Sequence, residues 1–575
     1  MLDEKEIIKE DSYKCLICIG LILNLIFYIN LMIYFPYVFP PSPVPRYYQY
    51  TTLIRATALG PQTLDPINSW DSFSNDVIDQ VCEGLFAYNF SDLDMPRVPE
   101  LAETYFWASG TELQVKLRED ITFHDSAPFN ADAVKWNFDR LNYFCGIPDD
   151  GNRVKPFNDT KPSSIPAAEA SSLYLLPDGK PIFNRTVVVS EYNVTIYLNK
   201  EFAAFLDLLC FQGSYMLSPD TTNSTDYIQL YDRVIGTGPY KFVSFTSGVE
   251  VRFERNDNYW RPRAFFQNVV YALISSATAR SNAMLSHEVD YCAGPLTSLF
   301  PTFDADPTIT VDRFTERTGR TSLAYYYLGL NNHLLNVTWR KAISYAINYT
   351  LIIKNIYNNL VIRANSPIAP GYPFAYNTSV TAPRYNMTIA RQILVDAGIS
   401  NLDVYNNTAW QKASFLTINY SYNIDNPERT ALSPLITEWL GDIGITVLDD
   451  AITKDVFFNK LYLFHDQLGI YWSDYNPSYL DPFDIFNLLF NPSSSFNSAQ
   501  VNDTWLNSKL EEALLTINDV VRNNIYKLIQ WYLAEIQFVH CFGIHPKITA
   551  VYDHHIHGVL LNAKQDFEIY PIIRS

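Results

Sequence analysis

From Cys15 to Phe39 the chain reads CLICIGLILNLIFYINLMIYFPYVF, with no charge and only Asn24 and Asn30 as strongly polar side chains. A helix of that length crosses about 30 Å of hydrocarbon. No second run of this kind occurs, which excludes a multi-span channel and leaves a single anchor with one large body behind it. Lys5, Lys9 and Lys14 precede the run and Arg46 alone comes closely after it, so the cation bias places residues 1–14 in the cytoplasm and everything after 39 outside it. The run lacks a small-x-small cleavage site at its end, and neither Cys15 nor Cys18 sits in a lipid-attachment box, so the expectation is an uncleaved anchor over 15–39. FPPSPVP at 39–45 then predicts an extended, semi-rigid stalk over 40–49.

The remaining chain is long enough for several cores, and 48% hydrophobic against 18% charged residues in 575 excludes global disorder. A formal charge of −19 repels phosphate backbones, so nucleic acid is excluded as a partner. Cys82, Cys145, Cys210, Cys292 and Cys541 are too few for a disulfide scaffold, and an odd set leaves at least one unpaired in a monomer. Asn-x-Ser/Thr triplets begin at Asn89, Asn158, Asn184, Asn193, Asn223, Asn336, Asn348, Asn377, Asn386, Asn406, Asn419 and Asn502. Chance supplies many of these in an Asn-rich chain. With the anchor, they support a location outside the cytoplasm.

Strand-like and helical patterns interleave without a repeat, giving an α/β class. Thr186–Leu198 and Glu250–Glu254 read as strands; Ala131–Leu141, Arg340–Ile353 and Asp503–Ile517 read as helices. Residues 142–181, rich in Pro, Ser, Asp and Gly, read as an inserted surface loop system.

No Gly-x-Ser-x-Gly elbow, His-Glu-x-x-His helix or Gly-x-Gly-x-x-Gly loop appears, so an enzyme has no nucleophile, metal or cofactor to build on. GTGPY at 236–240 lacks a following Lys-Ser/Thr and reads as a tight loop into a strand, not a phosphate loop. Cys15 and Cys18 lie in the anchor, outside any redox context. Phe123-His124-Asp125 precedes a turn and a helix cap at Asn130, which favours a structural role over acid–base or metal chemistry. Asp553-His554-His555-Ile556-His557 is the one His-dense segment; an exposed turn is favoured there over a metal site, since in a strand His555 and His557 share a face that His554 opposes.

TLD at 63–65 with Pro66, CEGLF at 82–86, PELAET at 99–104 and LREDITFHDSAPFNADAVKWNFDR at 117–140 come in fixed order. GTGPYKF (236–242), ERNDNYW (254–260), EVDY (288–291), LGLN (328–331), RKAISYAIN (340–348) and ARQILVDAG (390–398) continue it. Together, over residues 59–575, they resemble the dipeptide/oligopeptide-binding family (solute-binding protein family 5) of ABC-transporter substrate-binding proteins. Ser126 stands where the family carries Gly.

The resemblance implies a two-lobed periplasmic-binding-protein-like fold, type II, of the large cluster C form. Lobe 1 would span 50–315 plus 535–575, with an extra subdomain at 91–218, and lobe 2 would span 316–534. It implies no catalysis, cofactor or metal, and a monomer that captures a peptide between its lobes and delivers it to membrane permease subunits. IYWSDYNPSYLDPFDIFNLLF at 470–490 resembles the family segment whose aspartate receives the peptide α-amino group. Asp474 is the matching acid, with Trp472 and Tyr475 as pocket walls. One residue separates Trp472 from Asp474, and a second Asp-Pro makes Asp481 the alternative anchor. Arg363 is the candidate for the peptide carboxylate. A carboxylate in a closed cleft suits an ammonium because a charge-assisted hydrogen bond there offsets lost hydration. Oligosaccharide or metal-chelate (nickel or haem) ligands, a non-transport surface receptor, and a peptidase are the competing readings.

Overall fold

A computed structural model describes residues 50–69, 71–148 and 151–575. The anchor expected at 15–39 and the stalk at 40–49 lie outside the described residues; among the described residues no helix is long and apolar enough to cross a membrane. The chain divides after Thr52, and the unit Leu53–Ser575 carries the body of the fold.

Two mixed sheets organise that unit. The first has seven strands in the order Ile309–Asp312, Ala550–Asp553, Tyr291–Cys292, Thr52–Thr57, Asn268–Leu273, Glu250–Arg255, Tyr240–Thr246. The second has six, in the order Val361–Arg363, His540–Pro546, Tyr325–Leu330, Ile470–Tyr475, Leu416–Asn423, Ile445–Ile452. A separate four-stranded antiparallel sheet lies within 91–218: Ala102–Ser109, Glu112–Leu117, Asn193–Leu198, Phe183–Ser190. The tail differs from the expected boundary at 535, because His540–Pro546 pairs with Tyr325–Leu330 in the second sheet and only Ala550–Asp553 joins the first.

Local differences have local causes. The strand-like run from Thr186 is a hairpin, Phe183–Ser190 and Asn193–Leu198, paired from Ser190↔Asn193 outward with a register shift before Val188↔Val194. The helix expected from Arg340 starts earlier, at Val337, and stops at Ala346, where Asn348 caps a new turn by accepting from Leu351 N. Residues 142–181 are not merely surface loop: Phe157 and Tyr174 are fully buried, with Phe157 against Trp136 at 5.3 Å between ring centroids. Asn336, Asn348, Asn386 and Asn406, all heads of glycosylation triplets, serve as helix N-caps. Cys82, Cys145, Cys210, Cys292 and Cys541 are all free thiols.

Three of the scattered motifs, CEGLF, GTGPYKF and ERNDNYW, meet at one carboxylate. Glu83 accepts from Thr237 Oγ1 at 2.7 Å, Tyr259 OH at 2.6 Å and Trp260 Nε1 at 3.0 Å. His124 Nε2 lies 2.9 Å from the Gly238 carbonyl, and Asn256 Nδ2 donates to the same oxygen at 3.2 Å. A Cβ on Gly236 would stand 2.2 Å from the Val81 carbonyl oxygen, so this loop needs glycine for close approach, not for phosphate. Burial pushes the His124 imidazole down to about 4, so it is neutral in the fold. Ser126 takes the left-handed conformation, φ 74°, that the family's glycine would adopt freely. Asp65 of TLDP and Arg140 form a fully buried ion pair, Nη1 to Oδ1 at 3.0 Å, with Ile228 N donating to Asp65 Oδ2 at 3.0 Å.

Beside Glu83 lies a cavity of about 80 Å3 lined by Asp79, Glu83, Glu100, Asp566, Glu568 and Arg261 among others. It has room for a few waters, not a peptide. Burial pushes Glu100 up to about 8 and Glu568 to about 7, and raises Asp79 and Glu83 as well. These carboxyls keep a proton in the fold at a pH where the unfolded chain has lost it, so stability falls as pH rises through neutrality. His540 and His545, pushed by burial to about 3 and about 4, act with His124 in the opposite sense: unfolding takes up their protons on acidification. Between about pH 7.5 and about pH 8, where unfolded imidazoles with an ordinary value of about 6.5 are almost wholly neutral, the carboxyls dominate. The urea midpoint is therefore expected to be higher at the lower end of that window; a midpoint that rises toward the alkaline end contradicts these burial effects.

Candidate functional site

Asp474 is the exposed residue of the strand Ile470–Tyr475, in which every other residue is buried. Side chains alternate across a strand, so Trp472 and Asp474 share one face and Tyr475 takes the other. Tyr475 therefore does not wall a pocket with Asp474; its OH donates to Asp484 Oδ1 at 2.9 Å on the far side of the sheet. Trp472 is also no direct wall. Its ring is buried, and Nε1 donates to Tyr357 OH at 3.2 Å, so it braces that tyrosine.

The partner of Asp474 is Arg429. Nη2 donates to Asp474 Oδ1 at 2.6 Å, and Nη1 donates to Asn423 Oδ1 at 2.6 Å. The guanidinium lies 5.0 Å over the Phe457 ring. The two ends differ in access: the Asp474 side chain is 42% exposed and that of Arg429 only 7%. Tyr326 sits directly across from Asp474 on the neighbouring strand, and its ring meets Tyr357 edge-on at 6.1 Å. Burial, and next the charge on Asp474, raises the Tyr326 phenol, so it remains a neutral donor. The result is an acid and a base in contact, walled by Tyr326, Tyr357 and Phe457: a place with one anionic and one cationic end and no nucleophile.

Sequence reasoning missed Arg429, and a signal was present. Asn426 caps the helix Pro427–Gly441 by accepting from Arg429 N, which puts a cation in the first turn, the unfavourable end of the helix dipole. Such a residue needs another reason to be there, and Asp474 supplies it.

The other candidates are satisfied elsewhere. Asp481 is buried against Arg522 at 2.9 Å and accepts from Tyr526 OH at 2.5 Å, so it already has its cation. Asp484, close behind it in the chain, is held by neutral donors instead: it accepts from Tyr475 OH and Ser478 N, and burial pushes it up to about 7. Arg363 is turned into backbone, donating to the carbonyls of Ala364 at 2.7 Å, Gly543 at 2.9 Å and Pro383 at 3.3 Å, and to Phe542. It does not face Asp474 across a common site; it lines a cavity with Arg384, Asn348 and Asn365.

The family model for bacterial extracellular solute-binding proteins, family 5 (middle), matches residues 97–497, and the chain belongs to that family. It is 24% identical over 473 residues to the glutathione-binding protein GsiB of Pectobacterium atrosepticum, an alignment covering 81% of this chain and 83% of the relative. Among solved structures it is similar to the periplasmic binding protein DppA of Helicobacter pylori in complex with the peptide STSA. That match has a TM-score of 0.72 and 19% identity over 91% of this chain and 98% of that one. It is also similar to NikA of Brucella suis in complex with Fe(III)-EDTA, with a TM-score of 0.73 and 19% identity over 91% of this chain and all of that one. The fold is that of periplasmic binding proteins.

Proposed function

We propose that this chain is the substrate-binding component of an ABC importer, working outside the cytoplasm, and that its ligand is a short peptide held by its charged ends. The α-ammonium takes the place of the Arg429 guanidinium on Asp474, and the released Arg429 meets the peptide carboxylate. Each charge-assisted hydrogen bond that breaks is replaced by one of the same kind, so the exchange costs little and leaves the peptide side chains unread. The observation that carries this reading is the Asp474–Arg429 pair, an accessible carboxylate against a held guanidinium. In this reading the seven-stranded and six-stranded sheets are the centres of two lobes, with 91–218 as the extra subdomain of the first. The run 15–39 anchors the monomer at the cell surface beside its permease. The peptide and glutathione relatives support the ligand class; the NikA likeness keeps a metal chelate as the competing one.

A thermal-shift comparison of the full chain tests the class. Trialanine with free termini is expected to raise the melting temperature in a concentration-dependent way, and N-acetyl-trialanine and maltotriose are expected not to. A shift with maltotriose and none with trialanine contradicts the proposal.

A further inference from the structure

We propose that His287, Asp553, His554 and His555 form a binding site for a divalent transition-metal ion of the Zn2+ type at the strand ends of the seven-stranded sheet, on a different sheet from the Asp474–Arg429 pair. Asp553 ends the strand Ala550–Asp553, and the two histidines come next in the turn. One donor atom from each of Asp553, His554 and His555 lies within 4.8 Å of the others. His287, just past the helix Ala277–Leu285, brings its Nδ1 to 3.5 Å from Asp553 Oδ2. Two donors each about 2.0 Å from a tetrahedral ion stand about 3.3 Å apart, so this pair is already near the required spacing.

Thr308 supplies the second layer. Its carbonyl oxygen lies 2.9 Å from His554 Nδ1, and its Oγ1 lies 3.3 Å from His287 Nε2. A carbonyl only accepts, so His554 carries its proton on Nδ1, the nitrogen that also lies 3.7 Å from Asp553 Oδ1, and Nε2 offers the lone pair for an ion, reached by a turn of the ring. The Thr308 hydroxyl holds the His287 ring with Nδ1 toward Asp553. Ring nitrogens bound to a carbonyl or hydroxyl on the far side are the usual support of imidazole ligands. Asp306, which accepts from Thr308 N at 2.9 Å and from its hydroxyl, adds a further negative charge beside the cluster. Three imidazoles and one carboxylate suit Zn2+, Ni2+ or Cu2+ and not the all-oxygen preference of Mg2+ or Ca2+. His555 is exposed and its ring packs on that of His554 at 3.9 Å between centroids, which holds the two imidazoles together. A bound ion would tie the end of the helix Ala277–Leu285 and the Asp306–Thr308 turn to the strand Ala550–Asp553.

The test is an equilibrium Zn2+ titration of the chelator-treated full chain. The wild type is expected to bind one equivalent with a dissociation constant of about 10 µM or tighter, and His554→Gln and His287→Gln are each expected to weaken it by at least about tenfold. His557→Gln alters an imidazole that meets Ser575 Oγ outside the cluster and is expected to leave binding unchanged. Unfolding midpoints of the three variants matching the wild type exclude a folding defect. Absence of saturable Zn2+ binding, or binding that neither His554→Gln nor His287→Gln weakens, overturns the site.

Discussion

Arg140→Ala is expected to destabilise the chain by about 3–5 kcal/mol, read as a lowered urea midpoint at unchanged slope. Asp65 and Arg140 are both 0% exposed, and removing the guanidinium leaves a carboxylate with only backbone donors such as Ile228 N and Ile67 N. The cost comes from the stranded charge more than from the lost bond. Arg140→Met combined with Asp65→Asn should therefore recover much of the loss, because the second change removes that charge. The exposed pair Lys180–Asp178, with side chains 73% and 50% accessible, is the contrast: Lys180→Ala should stay within about 0.5 kcal/mol of the wild type. An Arg140→Ala chain as stable as the wild type would show that the pair is not buried as described.

Asp474→Asn is expected to weaken binding of a free tripeptide by about 30- to 150-fold, corresponding to about 2–3 kcal/mol for a charge-assisted hydrogen bond at a half-exposed acid. Stability should fall by about 1–2 kcal/mol, less than for Arg140→Ala, because Asp474 is partly exposed and the mostly buried Arg429 guanidinium keeps Asn423 as an acceptor. Tyr475→Phe is the discriminating companion. It removes a hydroxyl that serves Asp484 on the opposite face, so peptide affinity should hold while stability drops. Calorimetric titration reads the first effect and urea unfolding the second. If Asp474→Asn binds as the wild type does, the ammonium site is elsewhere.

Much of the fold was legible because the motifs are local and each has a steric reason. The Gly236 and Gly238 backbone lies against Val81 and Cys82, and the acid of CEGLF satisfies the Tyr and Trp of ERNDNYW. Gly329 of LGLN lies where a Cβ would meet the Tyr471 ring at 2.1 Å. What the motifs do to one another was not legible, because Glu83 and Tyr259 meet only after the chain has folded. At the candidate site, the period of two along 470–475 separates Tyr475 from Asp474 once the segment is a strand. Read as a motif instead, the same residues would share one pocket. Arg429 lies 45 positions before Asp474 and carries no motif. Its place in a first helical turn was the one local hint. The Asp553–His557 segment looked like a bare turn because His287 and Thr308, which orient it, stand far from it in the sequence.

The most direct measurement is a crystal structure of the chain with bound trialanine. The peptide nitrogen is expected about 3 Å from the Asp474 carboxylate, with the Arg429 guanidinium moved from Asp474 to the peptide carboxylate. A peptide bound elsewhere while Asp474 and Arg429 stay joined would contradict it.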